Sequence, residues 1–167
     1  CLVSDGAIAF IVTSAERAAG LRKPAVHILG VGSCHEAGQG GPGQANKSMG
    51  AADFNVEPAR SRVFAKAGMT LDDIDVFQFY DAFTIIVALQ LEAWGLCGPG
   101  EAGDWLRAGN FCWDSARPCN TSGTLHSWGY VQGFTHVAEG VRQLRGEGGA
   151  TQVPDARTAL VTNVGIT

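Results

Sequence analysis

The chain is predicted to be α/β, a layered sandwich in which helices cover a largely buried sheet. Three observations predict it. Four short runs rich in apolar residues, Ala7–Thr13, Val26–Val31, Asp75–Phe79 and Thr158–Asn163, suit buried strands. Segments with helical spacing alternate with them. The 23 glycines gather mainly between these segments, where a fold needs tight turns and close backbone approach.

Ala7–Thr13 (Ala-Ile-Ala-Phe-Ile-Val-Thr) is an unbroken apolar run and predicts a buried strand. Ser14 opens a short helical turn that Gly20 closes. Val26–Val31 predicts a second strand. Residues 32–50 hold Gly38, Gly40, Gly41, Pro42, Gly43 and Gly50, the pattern of a long surface loop. Pro58 suits the first turn of a helix that carries Val63, Phe64 and Ala67 on one face and stops at Gly68. Thr70-Leu-Asp-Asp predicts a short capped turn. Asp75–Phe79 predicts a strand running straight into Tyr80. A helix follows from Phe83 to Trp94, with Ile86, Leu89, Gln90 and Ala93 at helical spacing and Gly95 behind it. The last long helix spans Gly133–Arg145. Its Phe134, Val137, Ala138, Val141 and Leu144 form an amphipathic stripe, Arg142 and Arg145 suit the negative end of the dipole, and Gly146 ends it. Thr158–Asn163 predicts the final strand.

Composition narrows the function classes. Hydrophobic residues make up 46% and charged residues 17%, a balance that supports a packed core. A formal charge of −4 with no basic stripe argues against nucleic acid as the main partner. The longest apolar runs are too short for a membrane span. No basic segment precedes an apolar one at the N-terminus, so no signal peptide is expected, and the cysteine usage points to a reduced, cytoplasmic compartment. Cys1, Cys34, Cys97, Cys112 and Cys119 are odd in number and lack a C-x-x-C pair, which favours neither a metal site nor a disulfide framework. The chain starts without Met on the approach to a strand and ends at Asn163-Val-Gly-Ile-Thr167. It reads as a piece of a longer polypeptide.

Two segments carry the chemistry. Tyr80 stands in Phe79-Tyr-Asp-Ala-Phe-Thr84, and Tyr130 ends Asn120-Thr-Ser-Gly-Thr-Leu-His-Ser-Trp-Gly-Tyr130. With Ser4-Asp-Gly-Ala, Gly129-Tyr-Val-Gln-Gly and Val141-Arg-Gln-Leu-Arg-Gly through Ala159-Leu-Val-Thr-Asn-Val-Gly, they resemble the C-terminal half of the sterol-carrier-type thiolases. The resemblance implies a thiolase-like layered α/β sandwich with a mixed sheet covered by helices. Residues 1–24 would end the N-terminal half. Residues 25–167 would form the C-terminal thiolase-like domain, truncated before its last strand. It also implies a homodimer built through the N-terminal half.

The departures from that family matter as much. Tyr80 replaces the histidine of a His-Asp-Cys-Phe box and Ala82 its cysteine. Tyr130 replaces the histidine of Gly-His-Pro and Val131 its proline. An alanine cannot shuttle a proton, and a phenol has an ordinary pKa of about 10 against about 6.5 for imidazole. The doubly tyrosine-substituted pattern is similar to the thiolase-like aldolases of bacterial steroid side-chain degradation. That likeness implies retro-aldol cleavage of a β-hydroxyacyl-CoA into a ketone and a shorter acyl-CoA, beside an OB-fold, zinc-ribbon partner protein. CoA thioester would be the substrate, with no covalently bound cofactor and no metal. Tyr80 and Tyr130 are then the expected catalytic residues. Asp81, Phe83, Asn120, Gly123, His126 and Gly129 are the expected substrate-binding residues.

Plainer readings stand beside these. Tyr80 also suits a core aromatic at a strand end, Asn120 and Ser122 suit turn caps, and Asp81 suits an N-cap for the following helix. His136 reads as a packed or capping residue, His27 and His35 as surface residues, and Cys97, Cys112 and Cys119 as unreactive. A thiolase-type acyltransferase and a non-catalytic lipid-transfer protein of the same fold remain the alternatives.

Overall fold

The computed structural model describes residues 2–34, 56–123 and 125–164. Six α-helices lie within them: α1 (Ala15–Ala18), α2 (Glu57–Ala67), α3 (Thr84–Trp94), α4 (Ala102–Arg107), α5 (Leu125–Trp128) and α6 (Phe134–Leu144). Two strands, β1 (Val76–Gln78) and β2 (Ala159–Val161), pair in parallel with Phe77 opposite Leu160. The loop expected over residues 32–50 lies, beyond residue 34, outside the described residues, as does His35.

The strand alternation builds the layers. Phe77 and Phe79 point to one side of β1, their rings stacked 5.9 Å apart, and bury with Val87, Leu91 and Trp94 of α3 and with Leu160 of β2. Val63 and Phe64 of α2 pack against the same cluster, as their shared face predicts. Each fully buried side chain of this kind contributes about 1.5–3 kcal/mol. Gln78 lies on the opposite side, toward α6, and Gly140 of α6 sits so close to β2 that a Cβ there would meet Val161 Cγ2 at 3.1 Å. Helices thus cover both faces of the parallel pair, the α/β arrangement the sequence predicts.

Local signals set most helix ends. Pro58 occupies the first turn of α2, and Gly68 closes it in the left-handed region (φ 65°). Thr70 and Asp73 form a reciprocal capping box, with the Thr70 N–H and hydroxyl both donating to Asp73 Oδ2. Asp81 does not cap α3. Phe83 holds that position, and Asp81 Oδ1 accepts the Leu125 N–H at the start of α5 instead.

Three expectations are corrected. Ala7–Thr13 and Val26–Val31 form no strand and join no ladder among the described residues. Ile11 is 93% exposed and Val12 78%. An apolar run records a demand for burial without saying which element meets it, and here the described elements meet it only in part: the Phe10 ring lies 6.0 Å from the Phe134 ring of α6, while Ile11 and Val12 stay exposed. The third concerns α6. An amphipathic stripe ordinarily faces the core. Here Phe134 and Val137 lie outward, and Thr135, His136, Glu139, Gly140 and Gln143 are buried against the sheet. The buried face is held by hydrogen bonds: Glu139 accepts from Thr121 Oγ1 (2.6 Å), Gln143 Nε2 (2.9 Å) and Arg142 Nη1 (2.9 Å). Polar groups paired like those of Glu139 and Gln143 can be buried without penalty large enough to turn the helix over.

Candidate active site

β1 carries the chain out of the sheet at Tyr80, where the backbone is pinned from two sides. The Tyr80 N–H donates to Thr162 Oγ1 (3.1 Å), just past β2. Its carbonyl accepts from Gln90 Nε2 of α3 (2.6 Å), and Gln90 Oε1 accepts in turn from Thr162 Oγ1. The Tyr80 ring is therefore aimed by three elements at once, and it is 4% exposed.

Tyr130 reaches the same point from the other side. It follows α5 and the left-handed Gly129 (φ 86°), where a Cβ would meet Ser4 Oγ at 3.0 Å. Val3 bridges to Tyr130, so the Ser4-Asp-Gly-Ala segment runs alongside this turn. The two phenolic oxygens lie 3.0 Å apart, within hydrogen-bonding range. Burial first, then the Tyr130 hydroxyl, then the Asp81 carboxylate push the Tyr80 phenol above its usual range, so Tyr80 keeps its proton at neutral pH. Ala82 sits buried beneath the pair with Ile86 and Leu125.

The expected binding residues divide by what they touch. Asp81 is 3% exposed and Nε2 of His136 lies 3.1 Å from its Oδ1. His126 Nε2 contacts the Asp81 carbonyl at 3.1 Å. Asn120 is clamped to the strand end: Oδ1 accepts the Phe79 N–H (2.7 Å) and Nδ2 donates to the Phe79 carbonyl (2.9 Å). Each side-chain heteroatom makes one backbone hydrogen bond, which fixes Asn120 against the strand end. Gly123 (φ 81°) and Gly129 are needed for conformation. Phe83 stands 60% exposed at the mouth of α3.

Neighbouring thiols are quiet. Burial pushes Cys119 up to about 12, with Arg117 acting against it, and Cys97 is raised by burial and by Glu92 and Glu101. An open cleft of about 410 Å³ is lined by Phe111–Asp114, Cys119–Gly123 and Thr151, and neither tyrosine lines it. Among the described residues no group of three or more His, Cys, Asp or Glu side chains gathers as a metal site, and no helix is long and apolar enough to cross a membrane.

Sequence reasoning underrated His136, Glu139 and Gln143. The available signal was their own spacing, i, i+3 and i+7 along α6, which marks a second coherent face of the helix.

Comparison with known proteins agrees with this geometry. The family model described as "Thiolase C-terminal domain-like" matches residues 38–167. Sterol carrier protein 2 of Bos taurus is 35% identical over 171 residues, covering 99% of this chain and 31% of that protein. A steroid side-chain-cleaving aldolase of Thermomonospora curvata is 34% identical over 164 residues, covering 97% of this chain and 41% of that protein. A solved structure, the Ltp2-ChsH2(DUF35) aldolase, superposes with a TM-score of 0.76 at 31% identity, covering 90% of this chain and 39% of that one. The chain thus spans about a third to two fifths of the length of these relatives. With the parallel pair between two helical layers and the matched stretch from residue 38 onward, the chain belongs to the thiolase C-terminal domain-like family.

Proposed function

We infer that this chain provides the two-phenol half of a thiolase-fold aldolase, a carbon–carbon lyase acting on a β-hydroxyacyl-CoA of steroid side-chain origin. The observation that carries the reading is the 3.0 Å contact between Tyr80 and Tyr130, the only two tyrosines in the chain. In retro-aldol cleavage a base takes the β-hydroxyl proton, the Cα–Cβ bond breaks, and its electron pair enters the thioester fragment as an enolate. A donor then protonates Cα. One proton is taken and one returned, so no external reagent is needed.

The two phenols divide those tasks. Tyr80, held protonated by its buried surroundings, is the donor at the enolate. Tyr130, whose oxygen lies 3.0 Å from that of Tyr80, is the group that takes the hydroxyl proton. Ala82 at the position of a family thiol is compatible with a route that needs no covalent acyl-enzyme. The relatives named as aldolases support the reaction class. The DUF35 component named with the solved aldolase supports a partner protein of that kind.

The test is incubation of the purified protein, with and without such a partner, with a β-hydroxyacyl-CoA carrying a branched β-carbon. Release of a ketone and an equimolar shorter acyl-CoA is the expected result. Acyl transfer to free CoA without ketone release would favour the acyltransferase alternative. Ligand binding with neither product would favour a carrier.

A further inference from the structure

We propose that the buried Asp81–His136 pair is the positioning device of this site, holding Tyr80 and Tyr130 at hydrogen-bonding distance. His136 and Asp81 are 2% and 3% exposed, and Nε2 lies 3.1 Å from Oδ1. Nε2 and Oδ1 lie within ion-pair distance but outside hydrogen-bonding geometry. A carboxylate buried this deeply survives only where neighbouring groups compensate it. The imidazole and the Leu125 N–H supply part of that compensation.

The pair joins the end of β1, which carries Tyr80, to α5, which leads to Tyr130, and to α6. Asp81 follows Tyr80 directly at the end of β1. Its Oδ1 holds the first N–H of α5, the helix that leads to Tyr130, and its carbonyl holds His126 on the same helix. His136 comes from α6, and its ring centroid lies 6.4 Å from that of Tyr80 at 44°. Gly133, at the start of α6, is packed so tightly that a Cβ would meet Tyr80 Cδ2 at 3.1 Å. A small shift of α6 or α5 therefore changes the distance between the phenols. The titratable groups facing His136 from these elements are Asp81 and Tyr80 after β1, His126 on α5, Tyr130 beyond it and Glu139 one turn along α6. β2 brings none.

The role rests on the two-phenol reading of the site, but its optical test needs no turnover. Phenolate absorbance near 295 nm is followed through an alkaline titration of the full chain, with Tyr80→Phe and Tyr130→Phe as references for each ring. His136→Asn places its amide at the level of Nδ1 and loses the reach to Asp81. His136→Gln places it at the level of Nε2 and keeps that reach. His136→Asn is expected to lower the midpoint of Tyr80 ionisation by about one pH unit or more, because the two phenols separate, take up water and lose the Tyr80–Tyr130 hydrogen bond. His136→Gln is expected to restore it. A folded His136→Asn whose midpoint matches that of the unsubstituted chain, or rises, overturns the proposal. A second measurement does not depend on any variant folding. In the unsubstituted chain the His136 ring protons must show nuclear Overhauser contacts to the Asp81 methylene and to the Tyr80 ring, and their absence also overturns the proposal. Where turnover is measurable, kcat of His136→Asn falls about 10–100-fold with KM within about twofold, as expected when reacting groups are misplaced by an ångström or less. An unsubstituted protein without aldol cleavage sinks the function reading alone. Unshifted tyrosine titration in His136→Asn sinks the positioning role alone.

Discussion

Replacing Tyr130 with Phe separates chemistry from scaffolding. The substitution removes one oxygen and leaves the ring, so packing beside Val3 and Leu125 is largely kept. What is lost is the 3.0 Å contact with Tyr80, whose hydroxyl is then left inside a residue only 4% exposed. A lost hydrogen bond with one partner left buried costs about 1–3 kcal/mol. Tyr130 is half-buried, so water can replace part of the contact and the lower end, about 1 kcal/mol, applies. Against a typical domain stability of about 5–15 kcal/mol, the protein stays folded. Removing a general acid–base group costs about 10²–10⁴ in rate, which is about 2.7–5.4 kcal/mol of barrier at 1.36 kcal/mol per decade. The barrier effect therefore exceeds the folding effect. Thermal melting and steady-state cleavage of a β-hydroxyacyl-CoA measure the two separately. Tyr80→Phe is expected to behave alike, and the double variant to lose little beyond the worse single one, since the two act as a unit. Turnover within about threefold of normal in Tyr130→Phe, with a lowered melting temperature, would refute the catalytic assignment and leave only a structural pair.

Other outcomes follow from contacts away from the phenols. Glu139 is fully buried and accepts from Thr121, Gln143 and Arg142. Glu139→Ala should cost about 3–5 kcal/mol in denaturant unfolding and Glu139→Gln clearly less, because the amide keeps an acceptor oxygen. Asp75 is partly desolvated, but the Arg157 N–H and the Thr158 N–H and hydroxyl donate to it and hold its pKa below the ordinary value. Its stabilisation is therefore present above the unfolded-state pKa of about 3.9 and lost as pH falls through the lower folded value. Asp75→Asn should reduce stability at pH 7 by about 1 kcal/mol after allowance for solvent screening, and the difference from the unsubstituted chain should shrink below about pH 4. Gly133→Ala forces a Cβ at φ 74° against Tyr80 and Asn163, and should lower both the melting temperature and the turnover. Thiol labelling at pH 8 should modify exposed Cys112 and spare Cys119 until the chain unfolds, since burial keeps the latter thiol protonated.

The sequence by itself determined much of the local geometry and singled out Tyr80 and Tyr130. Helix ends at Pro58, Gly68 and Gly95, the capping box of Thr70, and the run of β1 into Tyr80 follow from φ preferences and short-range hydrogen bonding, which act within a few residues. The pairing of Tyr80 with Tyr130 was foreseen through resemblance to a family, because their 50-residue separation carries no local signal. Only tertiary structure decided which face of α6 turns inward. Periodicity shows that a helix has two faces, but burial depends on whether the polar one finds partners. Thr121, Asp81 and Val153 provide them from distant segments. The same long-range pairing gave Asp81 a histidine from α6 in place of a cap on α3, and left Ala7–Thr13 with no neighbouring strand among the described residues. Each of those outcomes turns on a contact between residues far apart in the chain, and such contacts are set by the assembled layers.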